Sequence, residues 1–202
     1  MDMSHMLAFT IQPSIFPGKD SNPPFLVVGA GRDATQMAPA QAQRQDDSYW
    51  ICIINANNPR EKVKDWVIPG TQNSTVPPGI DTYMNNPGYI FVVATEYLNT
   101  LHVPQGAFYD FLVKYGAGRE LQKLEQLNAV LSCGNYGHMS YVLIGQCGPR
   151  EAGKPAPISY EKGSYLGDVS ALMMMSLMPQ KNGAPPYSIC DSYSWKNPPA
   201  AS

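Results

Sequence analysis

Apolar and polar residues alternate with a period of two over much of this chain, which predicts strands at both of its ends. Leu7, Phe9 and Ile11 alternate with Ala8, Thr10 and Gln12. Near the other end, Tyr187, Ile189, Tyr193 and Trp195 share one side of a run whose other side is Ser188, Cys190, Ser192 and Ser194, with Asp191 the one polar break in the apolar row. Phe25-Leu26-Val27-Val28 reads as a short buried strand ending at Gly29. Tyr49 to Ile54 and Tyr89 to Val93 are apolar on both faces, the mark of strands covered on two sides. Met139, Tyr141 and Leu143 alternate in a further strand.

Between these runs the period changes to that of a helix. Ala107, Phe108, Phe111, Leu112 and Tyr115 form one stripe, with Pro104 at its start and Gly116 at its stop. Leu121, Leu124, Leu127, Val130 and Leu131 form a second, covered on its wet side by charged and amide residues. Helices are expected at about 105–116 and 118–132. Strands at both ends with two helices inserted predict a single α+β domain, built on a mainly antiparallel β-sheet or sandwich.

Other stretches are read as connections. Arg32 to Asp47 is polar and alanine-rich with Pro39 in its middle, which argues against a long helix. Asn55 to Pro59 is expected to end the preceding strand, and Trp66-Val67-Ile68 to form only a brief one. Residues 69–87 form a long Pro/Asn-rich loop, beyond the roughly 12–15 residues usual for a structureless connection, so it either packs on the body as a flap or performs binding. Pro149 to Gly163 reads as loop, and Val169 to Met178 fits a buried strand or a short helix equally well. Residues 1–5 and 197–202 read as flexible termini.

Composition narrows the functional classes. Of 202 residues only 15% are charged, against roughly a quarter in an ordinary soluble domain. There are 19 prolines and 17 glycines, and the net charge is −2. No basic stripe is present, so nucleic acid is not an expected partner. No apolar run reaches the ~18 residues of a membrane span. The start Met1-Asp2-Met3-Ser4-His5-Met6 lacks a charged head followed by an apolar run, so no signal peptide is expected. A cytoplasmic location is the default reading, with secretion left open. Cys52, Cys133, Cys147 and Cys190 contain no C-x-x-C pair, and His5, His102 and His138 show no metal-ligand spacing, so neither metal nor cofactor is expected.

Two motifs invite chemistry. Gly29-Ala30-Gly31-Arg32-Asp33-Ala34 fits a dinucleotide turn after a strand, with Gly29 and Gly31 approaching a pyrophosphate. The segment after it offers no apolar helical face, and the next strand ends in Asn55 rather than an acid, so the preferred reading is a simple turn. Cys133 and His138 flank a glycine-rich link and make a thiol-dependent enzyme the first alternative. The helix end disfavours a thiolate, and no adjacent carboxylate orients His138, so a buried cysteine and a loop histidine are preferred. Met173-Met174-Met175 with Met178 reads as core, because consecutive residues on a strand face opposite sides.

The order Asn57-Asn58-Pro59, Asp65-Trp66 and Gly88-Tyr89-Ile90-Phe91-Val92 resembles, over a minor part of the chain, the ligand-pocket order of phosphatidylethanolamine-binding-like proteins. The acidic and histidine residues of that pocket are absent here, and no residue role is carried over. The expectation is a non-catalytic binding or self-assembling protein acting through a low-charge, turn-rich surface. Its partner is itself, another protein, or a small apolar or glycan ligand, and its candidate contact residues are Asn73, Tyr83, Asn85, Tyr187, Tyr193 and Trp195. A pocket lined by Met and Tyr would suit an apolar ligand, but the sequence does not place one.

Overall fold

The computed structural model describes residues 6–18, 20–130, 137–150, 156–165, 169–181 and 184–190. In chain order the elements are β1 (Leu7–Gln12), β2 (Phe25–Val28), β3 (Thr35–Met37), β4 (Ser48–Asn55), β5 (Asn58–Pro69), α1 (Asp81–Met84), β6 (Tyr89–Glu96), β7 (Leu98–Asn99), α2 (Gly106–Lys114), α3 (Arg119–Val130), β8 (His138–Gln146), β9 (Ser159–Ser164), β10 (Met173–Lys181) and β11 (Ala184–Ile189). The first sheet runs β11-β10-β1-β2-β3. The second runs β5-β4-β6-β8, with β7 and β9 both paired to β8. Every pairing between these named strands is antiparallel, so the fold is the expected β-rich α+β domain.

Three layers result, because β4, β6 and β8 bury both faces. Trp50, Cys52, Ile54, Val92 and Ile144 pack against Phe9, Ile11, Leu26 and Val28 of the first sheet. Their neighbours Tyr49, Ile51, Ile53, Val93 and Leu143 point the other way, onto Phe108, Leu112, Leu121 and Leu124 of α2 and α3. Each such side chain contributes about 1.5–3 kcal/mol by leaving water. Gly145 shows how tight the helix side is. A Cβ there would lie 2.1 Å from the ring of its cross-strand partner Phe91.

Polar contacts fasten neighbouring strands at chosen points. The Trp50 indole donates to Asp65 Oδ2 at 3.1 Å, joining β4 to β5. Beyond the last paired residues of β6 and β8, the Thr95 hydroxyl accepts from the Tyr141 backbone N–H at 3.0 Å. Arg44 holds the buried Glu96 at 2.6 Å and donates to Ser21 O, tying the loop after β1 to the end of β6. Glu161 of β9 crosses to the helix layer. There it accepts from the backbone of Gly118 (2.9 Å), Glu120 (2.7 Å) and Leu121 (3.3 Å) at the start of α3, and from the Tyr141 hydroxyl at 2.7 Å.

The helices begin and end close to their expected places; the end of the second expected helix falls outside the described residues. Three expectations are corrected, and one left open is resolved. The chain after Asn55 turns on two residues, with Asn57 N–H donating to Asn55 Oδ1 at 2.9 Å, and continues as the 12-residue β5 rather than a brief strand. β5 is an edge strand whose register with β4 shifts near its start, so Arg60, Glu61, Lys62 and Lys64 are all exposed and hide its period. Residues 159–164, read as loop, form the polar edge strand β9. Residues 69–87 are not plain loop, since a 3-10 turn covers Gly70–Gln72, α1 follows, and Ile80 and Met84 are wholly buried. Of the run 169–178, which fits strand and helix equally in sequence, residues 173–178 form the beginning of strand β10.

Candidate ligand-binding cleft

Where the start of β10 meets β1, β9 and the residue after β11, a cleft of about 740 Å³ opens. Five of its ten lining residues carry sulfur: Met6, Met173, Met174, Met175 and Cys190. Thioether side chains are unbranched and polarisable, so such a lining reshapes easily around an apolar ligand. The volume lies within the ~300–1,000 Å³ of ordinary small-molecule sites. Strand alternation holds as expected for the methionines. Met173 and Met175 stand opposite Ile11 and Phe9 and face the core, while Met174 is 74% exposed on the outer face beside Ala8 and Ser176. The reading of all three as core is therefore corrected, because the cleft at the strand's edge reaches both faces.

The far wall comes from β9. Tyr160 packs its ring on the inter-sheet core and donates its hydroxyl to Cys190 O at 3.3 Å. Lys162 reaches across to donate to Leu172 O at 2.9 Å. Both pair with β8 residues, Ile144 and Val142, that face the first sheet.

A second cluster of chemical groups sits at the end of the fold where β4 begins and β6 ends. The Asp47 carboxylate accepts from Asn99 N–H at 2.9 Å and meets His102 Nδ1 at 2.5 Å. The Tyr49 hydroxyl donates to His102 O, and burial, then the Asp47 charge, holds this phenol well above its ordinary pKa. Asp47 has φ of 58° and Tyr97 φ of 46°, both left-handed and costly for residues other than glycine. Gly70 fits against this corner because a Cβ there would lie 2.4 Å from Asp47 Oδ1. His138 stacks on Tyr97 with ring centroids 3.4 Å apart, and burial lowers its pKa. Among the described residues no group of three or more His, Cys, Asp or Glu is arranged to hold a metal ion.

The residues singled out from sequence are scattered. Cys133, Tyr193 and Trp195 lie outside the described residues, so only His138 of the thiol–imidazole pair is placed. Asn73 is a tie within the protein: its amide donates to Val103 O at 2.7 Å and its carbonyl accepts from Gln105 N–H. Tyr83 packs edge-on against Trp66 and Tyr89, and Asn85 caps α1 in the open. Tyr187 is half-buried on β11. Of the described ones, Asn73, Tyr83, Asn85, Tyr187 and His138, none lines the cleft. Gly29 and Gly31 do have positive φ, but they lead into a three-residue 3-10 turn and then β3. The α-helix that a dinucleotide turn must open does not follow, because residues 35–37 pair with β2 instead.

The cleft itself escaped the sequence reading. Its residues come from positions 6–8, 160–162, 173–176 and 190, and only the methionine run gave a local signal. Compared with known protein families and with curated proteins, the chain matches no family model and no individual protein.

Proposed function

We propose that this protein is a non-catalytic binding protein that holds a small, mainly apolar ligand in the cleft between β1, β9 and β10. The observation that carries this reading is the size of the cleft together with its methionine and tyrosine lining. The low overall charge suits a protein that works through shape and contact. The Asp47–His102 pair has a structural task, since the carboxylate fixes the turn before β4 to the backbone at Asn99.

Titration with the uncharged fluorophore Nile red tests the proposal. Saturable binding with a blue-shifted emission is expected, and Ala8→Trp, which fills the cleft from the exposed face of β1, abolishes it. A ligand at a hundred times its dissociation constant should also stabilise the fold by about 2.7 kcal/mol. Absence of saturable binding, or unchanged binding by Ala8→Trp, refutes the proposal.

A further inference from the structure

We infer that the ligand of this cleft is an amphipathic monocarboxylate, with its apolar body against the methionines and its carboxylate on Lys162. This rests on the cleft being the binding site, and it follows from how β9 distributes its charges. Among the described residues, the charged ones of the lining are Glu161 and Lys162, neighbours in sequence. Neighbours on a strand face opposite sides. Glu161 pairs with Leu143, on the helix side of its sheet, whereas Lys162 pairs with Val142, on the side of the first sheet.

The Glu161 carboxylate is engaged on the helix side of its sheet, by the backbone N–H groups of Gly118, Glu120 and Leu121 at the start of α3 and by the Tyr141 hydroxyl. Its oxygens are turned to these donors and not to a ligand. The Lys162 ammonium gives one hydrogen to Leu172 O and has two more to donate. An apolar lining with a positive rim discriminates by headgroup. A neutral ligand leaves the ammonium to water, a cationic one is repelled, and a carboxylate gains a charge-assisted hydrogen bond. Among the described lining residues there is one ammonium and no guanidinium fork, which matches a single negative charge better than a phosphate dianion.

Isothermal titration of the whole protein at neutral pH with three ligands of equal chain length, decanoate, decanol and decylamine, provides the test. Because Lys162 is exposed, decanoate should bind tighter than decanol by only roughly three- to tenfold, with decylamine weakest. The decanoate-to-decanol ratio should fall to near one in Lys162→Met and in Lys162→Gln, return in Lys162→Arg, and invert in favour of decylamine in Lys162→Glu. Equal affinity for decanoate and decanol in the unaltered protein overturns the headgroup assignment while leaving the cleft in place. So does a preference that survives in both Lys162→Met and Lys162→Gln. Failure of all three ligands to bind overturns the cleft as well.

Discussion

Removing the Glu161 side chain should loosen the helix layer by a calculable amount. In Glu161→Ala, the first turn of α3 loses an anion that accepts from Gly118, Glu120 and Leu121, and the Tyr141 hydroxyl loses its acceptor. An anion at a helix start contributes about 0.3–1 kcal/mol, and up to ~2 where partly buried. Tyr141 is 1% exposed, so leaving its hydroxyl without a partner adds about 1–3 kcal/mol. The two together give roughly 2–4 kcal/mol, or a fall in melting temperature of roughly 5–10 °C for a chain of this size. Urea unfolding followed by far-UV circular dichroism measures it. Glu161→Gln keeps an acceptor for the phenol and should cost about half as much. In a Tyr141→Phe background, Glu161→Ala should cost less by about 1 kcal/mol, since one contact is already gone. A cost below ~0.5 kcal/mol would show that Glu161 is not what holds α3 to the sheet, and identical costs in both backgrounds would show that its bond to Tyr141 contributes nothing.

Three other outcomes are expected. Gly145→Ala should destabilise by about 1–3 kcal/mol or more in urea melts, because its methyl group must displace the Phe91 ring; a neutral result refutes that packing. Burial raises the Glu96 pKa above its ordinary 4.5 despite Arg44, so the folded state holds this proton more firmly. Stability relative to Glu96→Gln should therefore fall as pH rises from about 4.5 through the raised value and then level off, and a rise over that window contradicts it. Burial also pushes the Cys147 thiol up to about 12 and the Cys52 thiol higher still, so mass spectrometry after iodoacetamide treatment at neutral pH should find both unlabelled in the native protein and labelled in urea.

The strands covered on both faces were the most legible part of the chain. Tyr49–Ile54 and Tyr89–Val93 have no polar side to give to water, so their central place in a layered fold could be read directly. Edge strands hid for the opposite reason. β5 begins with a run of exposed ions, Arg60, Lys62 and Lys64 among them, and β9 is Ser-Tyr-Glu-Lys-Gly-Ser, a composition shared with loops. Ile80 and Met84 were concealed by the prolines and asparagines around them, because two apolar residues four apart make one helical turn and no visible period. Asp47 and His102 lie 55 positions apart and meet only once β4 and β6 are paired. The cleft is the extreme case, with contributions from four distant segments.

The double burial of β4, β6 and β8 leaves the chain with an ambiguity in assembly. An ordinary amphipathic strand that slips by one residue turns its greasy side outward and is rejected at once. These three strands are greasy on both sides, so a slipped ladder would hide nearly as much surface as the correct one. What tells the two apart is a sparse set of directional contacts that cannot be re-formed out of step: the Trp50 indole on Asp65, and the Thr95 hydroxyl on the Tyr141 backbone. Fidelity of alignment in the centre of this protein rests on a few heteroatoms, while its cohesion rests on hydrocarbon.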